Sequence, residues 1–555
     1  MRLVVVGGVA GGMSAAARAR RLDETAEIIV LERGEHVSFA NCGLPYFVGG
    51  EIVEESKLLV QTPQSLAAAL NLDVRVNHDV VGLDAAAKTV TVMTAEGSDT
   101  IPYDALVLSP GAAALRPPIP GLDSPRVRTL RTVGDAEALR DAVLQGASRA
   151  VVLGAGFIGI EAAEALALRG LQTTLVELAP HVLPPLEAEL ASLAAEELRR
   201  IGIDVREGVG AQSLVPGLRH DTVALADGTT VDADIVVLSV GVRPDTATFE
   251  AAGVTCERGA IVIDEHGRTN LTDVYAVGDA VVSTDAVTGV RRPVALAGPA
   301  NRAGRLVADA IFTPATARPM PAPLGTAIVR VGELTAAMTG ANRASLDAAA
   351  IPYHTVHLHP GQHAGYFPGA VTMHLMVHFR AGDGLLLGAQ GVGPDGVDKR
   401  IDVLATAIRG GLSVTDLIDL DLAYAPPYGS AKDPVNMAGM VGENILNGSL
   451  SLWYASDLDT VVEDRLVLDV RSAAEFAAGH VPGAFNVPHT EVRARLDEIR
   501  GAAAGRHVAV MCAAGIRSYL AHRILVAEGF TSSMLSGGMQ TLRATLGARA
   551  ESVLV

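Results

Sequence analysis

The chain has 555 residues, which at roughly 100–200 residues per domain divides into three to five units rather than one core. With 49% hydrophobic residues, 19% charged residues and 58 glycines it has the make-up of a folded α/β protein, and extensive disorder is excluded. A net charge of −18 repels nucleic-acid backbones and anionic membranes, so neither is an expected partner, and an anionic substrate has to be captured by a local basic cluster.

The three cysteines, Cys42, Cys256 and Cys512, are too few for a secreted disulfide framework and point to a reducing, cytoplasmic setting. The first 17 residues are apolar, but Gly7, Gly8, Gly11 and Gly12 break the helix a signal peptide needs. No apolar run reaches about 18 residues, so no transmembrane helix is expected.

Two segments repeat one pattern: an apolar strand, a glycine-rich turn, an alanine-rich helix and a second strand ending in Glu. The first runs from residues 3–6 to Glu32, the second from residues 150–153 to Glu177. Each predicts a β-α-β unit for a dinucleotide, with glycines admitting the pyrophosphate to a helix N-terminus and the acidic residue accepting from a ribose hydroxyl. In the second unit Gly154, Gly156 and Gly159 complete G-x-G-x-x-G, and Glu177 follows 18 residues after the last glycine. The first has Gly7 and Gly12 but Val9 at the middle position, with Glu32 following 20 residues after Gly12.

Between these units, Cys42 lies in the run Ser38-Phe39-Ala40-Asn41-Cys42-Gly43-Leu44-Pro45-Tyr46. Core cysteines are usually inert, but the turn formers Asn41, Gly43 and Pro45 set this one apart. Five residues on stands Phe47, so no internal disulfide forms there, and a redox cycle at Cys42 needs an external sulfur or a sulfenic acid. Beyond the second unit, residues 269–279 form an apolar strand running into Gly278 and Asp279.

The ordered set Gly7/Gly12/Glu32, Gly154/Gly156/Gly159/Glu177 and Val277-Gly278-Asp279 resembles the FAD-dependent pyridine nucleotide-disulfide oxidoreductases over residues 1 to about 445. The resemblance implies FAD on the first unit and Asp279, and a nicotinamide nucleotide on the second. Glu177 repels a 2′-phosphate, and Leu178-Ala179-Pro180 offers no arginine to bind one, so NADH is expected rather than NADPH. The expected partition is an FAD domain in two pieces, 1–115 and 250–322, an NAD domain over 116–249 and a dimerisation domain over 323–445.

The S-F-x-x-C-G-L-P-Y context is similar to the coenzyme A-disulfide reductase branch, with its NADH-dependent persulfide and polysulfide reductases. Ala10 stands where the peroxidase and oxidase branch carries a histidine. By this resemblance Ser14, Arg18, Arg21, Ser38 and Asn41 contact coenzyme A, and Lys432 binds a substrate phosphate. The lysine usual in the family near residues 70–75 is missing from LNLDVRV. Tyr366 and Tyr424 would reach the partner subunit's Cys42 to protonate a leaving thiolate, which makes a homodimer necessary. His359 and His363 lack metal-ligand spacing, and neither they nor any other group predicts a metal site.

After a predicted linker over 446–455, hinged at Asn447-Gly448-Ser449, an apolar strand leads into Asp469-Val470-Arg471, then Glu475-Phe476 and 479–484 (GHVPGA). A second strand delivers Cys512-Ala513-Ala514-Gly515-Ile516-Arg517-Ser518 to the start of a helix. Successive backbone N–H groups there form an anion nest, and the helix dipole and Arg517 add positive potential, which suits a thiolate or persulfide. Residues 456–555 resemble the rhodanese domains. The five-residue step from Cys512 to Arg517 is the loop of the sulfurtransferases, one residue shorter than in the related phosphatases.

The whole is therefore expected to be α/β: two Rossmann-like dinucleotide-binding domains, an α+β dimerisation domain and a C-terminal α/β rhodanese domain. The expected chemistry is reduction of coenzyme A disulfide, coenzyme A persulfide or polysulfide, a small-molecule thiol, persulfide or disulfide being the substrate. Two alternatives are an NADH oxidase or peroxidase working through a cysteine sulfenic acid, and a redox-sensing sulfur-carrier protein. Cys256 is read as structural.

Overall fold

Strands such as LVVV at residues 3–6 and VVL at 151–153 carry no polar alternation, and strands of that kind need cover on both faces. They form the centres of two five-stranded parallel sheets. In the computed structural model, which describes residues 1–555, the first sheet has the order Val274–Ala276, Ala105–Leu108, Arg2–Val6, Glu27–Leu31, Asp73–Arg75. The second has the order Asp204–Arg206, Gln172–Val176, Arg149–Leu153, Ile235–Leu238, Val127–Arg128.

Each sheet carries a three-stranded antiparallel meander at the same point of its chain path, Asp79–Asp84 to Gly97–Pro102 in the first and Ala211–Val215 to Thr230–Ala233 in the second. The duplication seen in the glycine motifs thus extends to whole sheets. Leu3, Val4, Val5, Leu106, Val107 and Leu108 have no exposed surface, so the glycine turns at the strand ends sit on a fully buried base.

A third sheet is antiparallel, in the order Ala327–Val331, Leu334–Gly340, Leu386–Gly393, His374–Arg380, Tyr353–Leu358. Helices Val397–Gly410 and Pro434–Leu446 share its core through Ile401, Leu404, Val435 and Ala438. The fourth is parallel, in the order Leu452–Trp453, Ser532–Leu535, Val508–Met511, Leu466–Asp469, Phe485–Asn486. These are the Rossmann-like, α+β and α/β rhodanese sheets of the expected fold class.

The contacts group residues 1–180 with 201–325, and residues 181–200 with 326–555. Two expectations change here. The helix Ala188–Arg200 lies in the expected NAD segment yet packs with the second unit, because Glu189 and Glu197 turn toward Arg343 and the 332–333 backbone. The expected linker 446–455 is structured: Leu450 and Trp453 are buried, and Leu452–Trp453 pairs with Ser532–Leu535 as an edge strand. No helix is long and apolar enough to cross a membrane.

Candidate active sites

The two glycine turns are near copies. Gly7 and Gly154 adopt φ of 96° and 97°, and a Cβ on either would strike the backbone of Ser109 or Ser239 on the neighbouring strand. Gly12 and Gly159 let the helix cross directly over the carbonyls of Gly7 and Gly154. A Cβ at Gly156 would meet nothing within 4 Å, so no packing within the chain calls for glycine there. The open space leaves room for a ligand to approach the turn.

Both glutamates close their loops in the same way. Glu32 accepts hydrogen bonds from the N–H of Gly8 at 2.7 Å and of Gly34 at 2.8 Å, and Glu177 accepts from Ala155 at 2.6 Å and Ala179 at 2.7 Å. Each carboxylate is therefore fixed beside the turn where a ribose would lie. Asp279, in the turn Gly278–Ala280, is half-buried; burial pushes its carboxyl pKa up, with Arg131 opposing. A partly desolvated carboxylate without a hydrogen bond from the chain suits a ligand hydroxyl. The residues present thus fit two dinucleotides.

Cys42 is exposed, on the single turn Asn41–Gly43 that leads into helix Leu44–Gly49. Phe47, where a second thiol would have to stand, is 4% exposed and covered by the Arg140 guanidinium 4.4 Å from its ring centre. The surrounding protein and the carboxylate of Glu161 both push the Cys42 thiol pKa up. Glu161 belongs to helix Phe157–Leu168 behind the second glycine turn, and it accepts from the Tyr46 hydroxyl at 3.3 Å. Sequence reasoning missed Glu161, since only folding brings it to the cysteine.

The expected coenzyme A contacts are distributed unevenly. Arg18 is paired with Asp309 at 2.6 Å and Ser14 donates to Asn301 at 2.6 Å, while Arg20 is buried against four backbone carbonyls. Arg21 is exposed and holds no ion pair, which leaves it as the available cation of the helix. Ser38 takes a left-handed conformation (φ 47°) with its N–H donating to Gly8, and so ties the Cys42 segment to the first glycine turn; Asn41 is exposed beside the thiol.

In the second unit the hydroxyls of Tyr366 and Tyr424 lie 2.9 Å apart, both rings exposed. Their loops are joined by the Ala364 N–H to Gly429 carbonyl bond and by Arg400. Its buried guanidinium donates to both Asp433 oxygens, at 3.3 and 2.8 Å, and to the Gln362 carbonyl at 2.8 Å. Asp433 in turn caps helix Pro434–Leu446, and the neighbouring Lys432 is exposed.

Cys512 directly follows strand Val508–Met511 and is 1% exposed. The Gly515 N–H donates to its Sγ at 3.1 Å, and the thiol donates to Ser518 Oγ at 3.3 Å. Gly515, at φ 112°, is the N-cap of helix Ile516–Ala527, so the helix dipole points at the sulfur. Arg517 departs from expectation: its guanidinium is paired with both Glu475 oxygens, at 2.8 and 2.7 Å, which offsets much of the positive potential it was to add.

The turn facing Cys512, Ser536-Gly537-Gly538, is held from the antiparallel sheet. His357 bridges Ser536 Oγ at 2.8 Å and Glu189 at 2.9 Å, and His359 bridges Thr541 Oγ1 at 2.8 Å and His374 at 2.7 Å. The Met539 N–H then donates to the Cys512 carbonyl at 2.8 Å. His359 is thus part of a histidine seam that no spacing in the sequence revealed. No cluster of three or more His, Cys, Asp or Glu has the arrangement of a metal site.

The sequence profile of the pyridine nucleotide-disulphide oxidoreductases matches residues 1–304, that of their dimerisation domain residues 326–434, and that of the rhodanese-like domain residues 452–545. The coenzyme A disulfide reductase of Staphylococcus haemolyticus is 34% identical over 442 residues, covering 79% of this chain and 98% of its own. The crystal structure of reduced Bacillus anthracis CoADR-RHD superposes with a TM-score of 0.96 at 40% identity, over 100% of this chain and 99% of that one. The NAD-dependent persulfide reductase from A. fulgidus superposes at 0.90 with 36% identity, over 98% and 100%.

Proposed function

Because the chain belongs to the pyridine nucleotide-disulphide oxidoreductase family and carries a rhodanese-like domain, we propose that it is an FAD-dependent enzyme in which NADH reduces coenzyme A disulfide, coenzyme A persulfide or polysulfide through Cys42. The observation that carries this is the exposed, solitary Cys42 with buried Phe47 in place of a second thiol. That arrangement favours a mixed disulfide with a small external thiol over an internal disulfide. Bound FAD and NADH would supply the electron pair.

The chain supplies the rest. Glu32, Asp279 and the Gly7 turn would hold FAD; Glu177 and the Gly154 turn would hold NADH. Arg21, Ser38 and Asn41, with Arg18 and Ser14 on the same helix and Lys432 near the tyrosines, would receive the coenzyme A portion. The Cys42 thiolate attacks one sulfur of R–S–S–R, a bond forms to that sulfur, and R–S⁻ leaves to be protonated. The Tyr366–Tyr424 pair of the second subunit in a homodimer is the proton source for that thiolate. For a persulfide the sum is CoA–S–SH + NADH + H⁺ giving CoA–SH + H₂S + NAD⁺. Cys512 passes or accepts the sulfane sulfur as its own persulfide.

The proposed partition keeps 1–115 with 250–322 for FAD, 116–249 for the nicotinamide nucleotide apart from helix Ala188–Arg200, 323–445 for dimerisation and 456–555 for the rhodanese module, which Leu452–Trp453 extends. The test is anaerobic NADH oxidation with coenzyme A disulfide, coenzyme A persulfide or polysulfide, with sulfide release followed in parallel. Turnover that needs one of these substrates and is lost in Cys42→Ser supports the proposal. Rapid NADH oxidation that requires only oxygen refutes it in favour of an oxidase.

A further inference from the structure

His357 and His359 stand two residues apart at the end of strand Tyr353–Leu358, a spacing that sets both rings on one face of the antiparallel sheet. Both meet the Ser536-Gly537-Gly538 turn, and each ring is braced from behind, His357 by Glu189 and His359 by His374. The layer between these rings and the Cys512 loop is one backbone thick. Gly537 and Gly538 have φ of 70° and 64°. A Cβ on Gly537 would come within 2.8 Å of His357 Cβ and 2.9 Å of His359 Nε2, and one on Gly538 within 2.6 Å of the Cys512 carbonyl oxygen.

Past the turn, two N–H groups in the first turn of helix Gly538–Leu546 are spent on the loop. Met539 donates to the Cys512 carbonyl at 2.8 Å and Gln540 to the Ala513 carbonyl at 3.1 Å. In a trans peptide the N–H lies opposite the carbonyl, so these bonds turn the Ala513 and Ala514 N–H groups away from that helix. Neither N–H has an acceptor within the chain.

We propose that His357 and His359 are positioning residues for sulfur transfer: by gripping the Gly537–Gly538 turn they aim the Ala513 and Ala514 N–H groups at the sulfur that Cys512 carries. This rests on the sulfur-transfer reading of Cys512 and assigns part of that chemistry to the antiparallel sheet. In the loading step the Cys512 thiolate attacks the outer sulfur of R–S–SH. The new S–S bond forms, and R–S⁻ leaves with the electron pair of the broken one. The outer sulfur then takes the Ala513 and Ala514 N–H groups as donors, while the Gly515 N–H stays on Sγ.

The experiment mixes full-length protein with coenzyme A persulfide or thiosulfate and follows the added sulfur on the Cys512 peptide by mass spectrometry. His357→Asn keeps an amide at the Nδ1 position, toward Ser536, whereas His357→Gln keeps one at Nε2, toward Glu189. The Asn variant is expected to load within about threefold of the wild-type rate and the Gln variant at least about tenfold more slowly. Disulfide turnover at Cys42 stays unchanged in both. His359→Gln, which retains a group facing Thr541, should load as His357→Asn does, and His359→Ala as His357→Gln does. Equal rates in His357→Asn and His357→Gln, both fast or both slow, overturn the positioning role alone. Loading of the wild-type protein by neither donor overturns the sulfur-transfer reading beneath it.

Discussion

Tyr366 and Tyr424, 58 residues apart in sequence, place their hydroxyl oxygens 2.9 Å apart at the surface of the second unit. The hydrogen bond to Tyr424 pushes the Tyr366 hydroxyl pKa up, which under the proposed function suits Tyr366 to donate a proton at neutral pH rather than act as a base. Replacing either with Phe is expected to lower disulfide turnover on the order of 10²-fold. The double variant should fall no further than the worse single, because the two hydroxyls act as one unit. Steady-state kinetics of the three variants check this, and additive losses would show independent roles.

Arg400 holds the loops of both tyrosines. Arg400→Ala leaves the buried Asp433 unpaired and is expected to cost about 3–5 kcal/mol, read as a lower denaturation midpoint. At concentrations where the variant is folded, its turnover should fall with that of the tyrosine variants, and free guanidinium at millimolar levels should restore part of it.

Glu161 raises the Cys42 thiol pKa by charge and Tyr46 links it to the active-site helix. Glu161→Gln removes the charge and retains an acceptor, so the Cys42 pKa should drop and alkylation at a fixed pH below it should accelerate. The pH profile of iodoacetamide labelling at the Cys42 peptide measures this; an unshifted profile would show that burial alone sets the pKa.

At Glu177 the carboxylate closes the loop, and under the proposed function it also opposes a 2′-phosphate. Glu177→Gln should keep part of the first and lose the second, with the kcat/KM ratio of NADH to NADPH falling about tenfold, equivalent to 1.4 kcal/mol. A ratio that does not move would place nucleotide selectivity elsewhere.

The histidine seam has a defined pH sign. Burial holds His359 down to about 3 and lowers His374 and His378, so the unfolded chain takes up more protons as pH drops through about 6.5. Stability from these groups is present above that pH and is lost on acidification toward 3. Glu189, lowered to about 2 beside His357 and Arg343, adds a second loss below about 4.5. Thermal denaturation from pH 7.5 to 4.5 should show a falling midpoint, and His374→Asn should flatten the upper part of that slope.

What could be read from the sequence follows how each feature is encoded. Both dinucleotide turns were legible because backbone crossings and ligand approach demand glycine at set intervals, and Cys42 and Cys512 because turn formers and an N-cap glycine surround them. Arg18 was assigned to substrate by resemblance, and nothing in the sequence signalled that Asp309, 291 residues away, pairs with it. Glu161 beside Cys42, and Glu189 beside His357 at a separation of 168 residues, depend wholly on tertiary folding and leave no local pattern. The expected linker 446–455 was misjudged because Asn447-Gly448-Ser449 reads as a flexible joint, while the buried Leu450 and Trp453 that follow it pull the chain straight into a sheet.

That pinned joint has a mechanical meaning. Arg523 donates to the Ser449 carbonyl at 2.7 Å, and the seam bolts the Ser536 turn to the antiparallel sheet, so the joint has little rotational freedom of its own. Within the second unit, the Cys512 loop is therefore mounted on the antiparallel sheet as a fixed fitting rather than hung from it as a hinged arm.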